Sequence, residues 1–132
     1  MKRIFLFIAL LTLPLFAEYK SEYITKKLLD SKTPIVDIRT PPEWRETGLL
    51  KGAIPIMFFD QRGGYNIDKF LKELNAKVDT SKPFAIICHT GSRTSIVGPW
   101  MSQKLGYKVI NLQGGMDYAT RGLKLITYPY KK

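Results

Sequence analysis

The residues best equipped for chemistry sit in one run of seven, Cys88-His89-Thr90-Gly91-Ser92-Arg93-Thr94. The run follows the apolar stretch Phe84 to Ile87, which reads as a buried strand, and precedes a helical pattern, so it joins a strand to a helix. A loop of that kind curls its backbone N–H groups inward at the positive end of the helix dipole and forms a nest for an anion. Gly91 supplies the conformational freedom a tight curl needs. A thiol at the centre is pushed toward thiolate, below its reference pKa of about 8.5. Arg93 adds a fixed positive charge and a planar fork suited to sulfonate-type oxygens. Together these residues describe a nucleophilic thiolate facing an anion. The plainer reading is an inert thiol that ends a buried strand. It fits less well, because the Gly-Ser-Arg-Thr that follows is poor core and good loop.

Cys88 is the only cysteine among 132 residues. It has no internal disulfide partner and no resolving thiol, which excludes dithiol redox chemistry. His89 is the only histidine. Adjacent residues on a curled loop rarely bring an imidazole onto the neighbouring sulfur, so His89 is expected to line the mouth of the site. Asp37, Arg39 and Glu43 form a second charged group. Arg39 and Glu43 are four apart at a helix start, and an ion pair bracing that corner is the expected role.

The elements that must position these groups alternate between helix and strand. Ser21 is expected to cap a helix running to about Leu29, with Ile24 and Leu28 on one face. Ile35, Val36 and Ile38 form a β-branched buried strand. Thr40-Pro41-Pro42-Glu43 then starts a helix, with Thr40 as N-cap, Pro41 in the first turn and Glu43 closing a capping box. Ala53 to Phe59 is apolar, broken by Pro55, and Gly63-Gly64 is a turn. Asn66 caps an amphipathic helix carrying Ile67, Phe70, Leu71 and Leu74. A helix is expected over Ser92 to Leu105, stopped by Gly106, with Pro99 forcing a kink or a late start. Val109 to Leu112 is the last strand, followed by Gly114-Gly115 and a short helix from Met116. This alternation predicts an α/β fold with a parallel sheet covered on both faces. Ligands bind such sheets at the carboxyl ends of the strands, which is where Cys88 stands.

Cys88 to Thr94 resembles the active loop of the rhodanese family, a Cys-x-x-Gly-x-Arg-Ser/Thr run. Asp37-Ile38-Arg39-Thr40-Pro41-Pro42-Glu43-Trp44, followed by Gly48-Leu49-Leu50-Lys51-Gly52-Ala53-Ile54-Pro55, is similar to the family's Asp-x-Arg…Glu-aromatic…Gly-His-Ile-x-Gly-Ala signature. Val109 to Met116 is similar to its strand-Gly-Gly ending. The resemblance implies a three-layer fold with a five-stranded parallel sheet flanked by helices, and no metal or organic cofactor. It implies that the Cys88 thiolate takes sulfane sulfur from a small anionic donor such as thiosulfate and passes it to cyanide or a thiol. Residues 89 to 93 would form the cradle and Arg93 would contact the donor. Leu49 stands where the family usually has His. The usual aromatic after the Gly-Gly pair falls near Ala119, with Tyr118 as a substitute. A cysteine-dependent phosphatase would carry Cys-x5-Arg, whereas only four residues separate Cys88 from Arg93. An arsenate reductase would need external thiols. A persulfide carrier, or a non-catalytic module that binds a partner protein, remains the alternative within the family.

The first residues read differently from the rest. Lys2 and Arg3 precede an apolar run from Ile4 to Phe16, and Ala17 offers a small residue before Glu18. That is the layout of a secretory signal peptide, residues 1–17, leaving a domain of residues 18–132 that is exported, in the periplasm. A spanning anchor would need about 20 apolar residues. The net charge of +10 falls to +8 without Lys2 and Arg3. The basic residues are scattered, and no nucleic-acid module is legible. The surplus fits a solvated surface that favours anionic substrates.

Overall fold

The structure is a computed structural model and describes residues 18–131. The expected signal peptide lies outside the described residues. Among those residues no helix is long and apolar enough to cross a membrane. The chain runs β1 (Tyr19–Glu22), α1 (Lys26–Asp30), β2 (Ile35–Asp37), α2 (Pro41–Thr47), β3 (Ile54–Pro55), α3 (Ile67–Lys77), β4 (Phe84–Ile87), α4 (Thr94–Leu105), β5 (Val109–Leu112) and α5 (Gly115–Asp117). A wide turn over Tyr118–Gly122 continues α5. The five strands form one parallel sheet in the order β1-β5-β4-β2-β3.

The central strand β4 shows why the sheet is covered twice. All four of its residues are buried. Phe84 and Ile86 point into one core, shared with Phe70 and Leu74 of α3 and Val97 and Met101 of α4. Ala85 and Ile87 point into the other, shared with Ile24, Leu112, Met116 and Ala119. A strand with two apolar faces reads as a continuous apolar run rather than an alternation. Cys88 continues the alternation into the first core.

Three expectations need correction or refinement. Ser21 does not cap a helix: it lies in β1, whose backbone pairs with β5 in the register Ser21↔Asn111. Its hydroxyl accepts a hydrogen bond from Asn111 Nδ2 at 3.1 Å. The helix begins four residues later, where Thr25 Oγ1 accepts from the Leu28 N–H at 3.0 Å. The strand was hidden because all four of its residues are exposed at the sheet edge, so no apolar pattern marks it. The helix after Cys88 starts at Thr94 rather than Ser92, and Pro99 falls inside it without ending it. Gly106 stops it in the left-handed conformation, as expected. The helices capped by Thr40 and Asn66 form where the sequence places them.

Candidate active site

Cys88 follows the last residue of β4 and is fully buried. Its Sγ accepts a hydrogen bond from the Gly91 N–H at 3.2 Å. The buried Thr94 hydroxyl lies 3.6 Å from the same sulfur and 3.2 Å from the Gly91 carbonyl, to which it donates. One inward N–H therefore points at the sulfur, while the Thr94 hydroxyl, its hydrogen committed to the Gly91 carbonyl, presents its oxygen to it. His89, Thr90 and Ser92, of the same loop, are exposed.

The curl depends on backbone that the sequence reading left without a role. The first residues of α5 sit against the outside of the loop. Met116 N–H donates to the Cys88 carbonyl at 2.8 Å and Asp117 N–H to the His89 carbonyl at 2.9 Å. These bonds turn two loop carbonyls away from the sulfur. The approach requires Gly115, which has φ +55°. A Cβ there would overlap the Cys88 and His89 carbonyls, His89 O lying 2.6 Å away. Gly91 has φ +99°, which a side chain rarely adopts. The strand-Gly-Gly segment was visible in the sequence as a motif, but nothing there indicated which loop it holds. Tyr118, the expected substitute aromatic, packs on Tyr23 with ring centroids 4.6 Å apart, while Ala119 is buried in the core.

The charged groups pair otherwise than expected. Arg39 does not pair with Glu43. Its Nη2 and Nε hydrogen-bond the Asp37 carboxylate at 2.8 to 3.1 Å, and both residues are buried. Arg39 also donates to Thr47 Oγ1 at 2.6 Å and to the Gly48 carbonyl at 2.7 Å, while Trp44 Nε1 donates to Asp37 at 3.1 Å. The four-residue rule fails because Arg39 precedes the Thr40 N-cap, so it shares no helical face with Glu43.

Glu43 reaches instead across the chain to Arg93. Arg93 Nη1 and Nη2 donate to Glu43 Oε1 and Oε2, each at 2.7 Å. Glu43 Oε1 also accepts from the Thr40 N–H at 3.3 Å and from its hydroxyl at 3.0 Å. Burial alone would push the Glu43 carboxyl up. The hydrogen bonds from Arg93 and Thr40 and the charge of Arg93 outweigh it and hold the group at about 2. Arg93 is raised, first by its hydrogen bond to Glu43, and also by the charges of Glu43, Cys88 and Asp37. Arg93 was expected to face a donor. Its fork meets a carboxylate of the protein itself, a partner that spacing could not suggest.

A depression on the surface lies elsewhere. A groove of about 850 Å³ runs between α2, β3 and α3, walled by Trp44, Phe58, Tyr65 and Tyr130, and includes none of residues 88 to 94. Its size does not make it the centre of the chemistry, since it does not contain the Cys88 thiol. Among the described residues no three His, Cys, Asp or Glu side chains gather as a metal site would require.

A parallel α/β sheet with a cysteine cradled between a strand end and a helix defines the class. The chain belongs to the rhodanese-like domain family, whose model matches residues 21–120. It is 30% identical over 94 residues to the uncharacterized protein RP600 of Rickettsia prowazekii, covering 68% of this chain and 74% of that one. It resembles a rhodanese-like domain protein from Staphylococcus aureus at 29% identity and TM-score 0.56, over 74% of this chain and 87% of the other. It also resembles the protein RPA3614 of Rhodopseudomonas palustris, described as a possible tyrosine phosphatase. That likeness has 25% identity and TM-score 0.53, over 78% of this chain and 76% of the other.

Proposed function

We propose that this protein is a sulfurtransferase that carries sulfane sulfur as a persulfide on Cys88. The observation that carries the reading is the Cys88 Sγ held under the Gly91 N–H, with the Cys88 and His89 carbonyls turned outward by α5. In the first half-reaction the thiolate attacks the outer sulfur of a donor such as thiosulfate. The Sγ–S bond forms, the donor's S–S bond breaks, and its electron pair leaves on sulfite. In the second, cyanide or a thiol attacks the outer persulfide sulfur, and the electron pair of the S–S bond returns to Cys88 Sγ. The Gly91 N–H can stabilise the charged sulfur in the free thiolate and as it re-forms.

The Cys-x4-Arg spacing supports sulfur over phosphate, because the shorter loop leaves a smaller cradle. A persulfide carrier that serves one protein acceptor would use the same first half-reaction. The test is formation of thiocyanate from thiosulfate and cyanide by the wild type and by Cys88→Ser. A serine hydroxyl is far less nucleophilic than a thiolate at neutral pH, so the variant should form none while remaining folded. Activity retained by Cys88→Ser, or hydrolysis of p-nitrophenyl phosphate in place of thiocyanate formation, would refute the assignment.

We also propose that residues 1–17 direct export to the periplasm and are removed after Ala17. Lys2, Arg3 and the apolar run to Phe16 support this. N-terminal sequencing of the protein from the periplasmic fraction should begin at Glu18. An intact Met1 in the membrane fraction would instead identify an anchor.

A further inference from the structure

Arg93 is the only Lys or Arg of the cysteine loop, and Glu43 holds both of its η nitrogens at 2.7 Å. Asp37 and Arg39 form a second closed pair at the adjoining strand end. The four charges cancel. The loop thus offers a thiolate on Cys88 the Gly91 N–H and no uncompensated cation of its own.

We propose that Glu43 is the specificity-determining residue of the Cys88 site: by committing Arg93, it favours alkyl persulfide donors over thiosulfate. The proposal rests on the sulfurtransfer reading above and names the donor class of that same site.

The two donors make different electrostatic demands. Thiosulfate is a dianion, and the thiolate must attack it while the charge of the leaving sulfite grows to two. Repulsion of that kind needs an uncompensated cation nearby, because attraction weakens when the cation already faces a carboxylate. An alkyl persulfide, RSSH, asks for less. The thiolate attacks its outer sulfur, the Sγ–S bond forms, the donor's S–S bond breaks, and the electron pair leaves on RS⁻. The hydrogen stays on the transferred sulfur, and the total charge in the site remains minus one. The single Gly91 N–H matches a single charge on sulfur. The exposed rim of His89, Thr90 and Ser92 leaves the organic part of the donor in solvent.

The experiment measures kcat/KM for sulfur loading of Cys88 by thiosulfate and by glutathione persulfide, in the wild type, Glu43→Gln and Arg93→Gln. Glutamine keeps an oxygen for the Thr40 N–H and hydroxyl but removes the negative charge. The wild type should prefer glutathione persulfide. Glu43→Gln should raise the thiosulfate-to-persulfide ratio about tenfold or more, the effect expected of one released charge-assisted contact, chiefly through KM for thiosulfate. Arg93→Gln should move the ratio the other way, because it leaves the Glu43 carboxylate unpaired beside the thiolate. A wild-type preference for thiosulfate, or a ratio that shifts in the same direction in both variants or in neither, would overturn the proposal while loading continued. A Cys88 that gains sulfur from neither donor would overturn the sulfurtransfer reading itself, and this inference with it.

Discussion

Two arginines meet carboxylates near the carboxyl ends of β2 and β4, and the two pairs differ in almost every respect. Arg39 and Asp37 are two residues apart, with side chains only 2% and 0% exposed, and Arg39 makes further bonds to Thr47 and Gly48. Arg93 and Glu43 are fifty residues apart, with side chains 24% and 28% exposed. The first pair closes a corner within one segment of chain. The second ties the cysteine loop to α2. A buried, multiply bonded pair fixes the fold, whereas a partly exposed pair near a nucleophile can tune its chemistry.

The sharpest way to break this contrast is Arg39→Ala. It strands the Asp37 carboxylate in a buried site and orphans its partners, which should lower stability by about 3–5 kcal/mol. Lys at the same position should recover little, since an ammonium cannot span Asp37, Thr47 and Gly48 at once. Urea unfolding checks both variants. A loss below about 1 kcal/mol would place Arg39 among ordinary surface cations.

Arg93→Ala should do far less to stability, on the order of 1 kcal/mol, because solvent screens a partly exposed pair. The same unfolding measurement applies. Equal losses for Arg39→Ala and Arg93→Ala would erase the distinction between a structural pair and a tuning pair.

A smaller effect comes from pH. The folded Glu43 sits at about 2 against an ordinary 4.5. A depressed carboxyl contributes stability above its unfolded pKa and loses it as pH falls through the folded value. The difference in stability between the wild type and Glu43→Gln should therefore be constant above pH 4.5 and shrink toward pH 2. A difference that is flat across this window would mean that Arg93 does not hold Glu43 in solution.

The contrast also explains what the sequence could reveal. The α3 helix, β4 and β5 were legible because a cap or an unbroken apolar run marks each. The cysteine loop was legible because Gly91, Arg93 and Thr94 follow Cys88 at short, fixed spacing. β1 was not, since an exposed edge strand is held by backbone pairing with β5 and carries no apolar pattern. The Glu43–Arg93 pair was hidden for a related reason. Local spacing offered Arg39 as the partner of Glu43, and only the folded sheet brings α2 beside the loop after β4. The role of Gly115 was hidden too, because the carbonyls it must approach belong to Cys88 and His89, on a loop far earlier in the chain.

The central claim is that Cys88 is a sulfur carrier, and intact-mass measurement after exposure to a sulfane-sulfur donor tests it most directly. The domain should be incubated separately with thiosulfate and with glutathione persulfide, then treated with cyanide. The account predicts a gain of one sulfur atom on the wild type, removed by cyanide and absent from Cys88→Ser. A wild-type mass unchanged by both donors, or the same gain on Cys88→Ser, would contradict it.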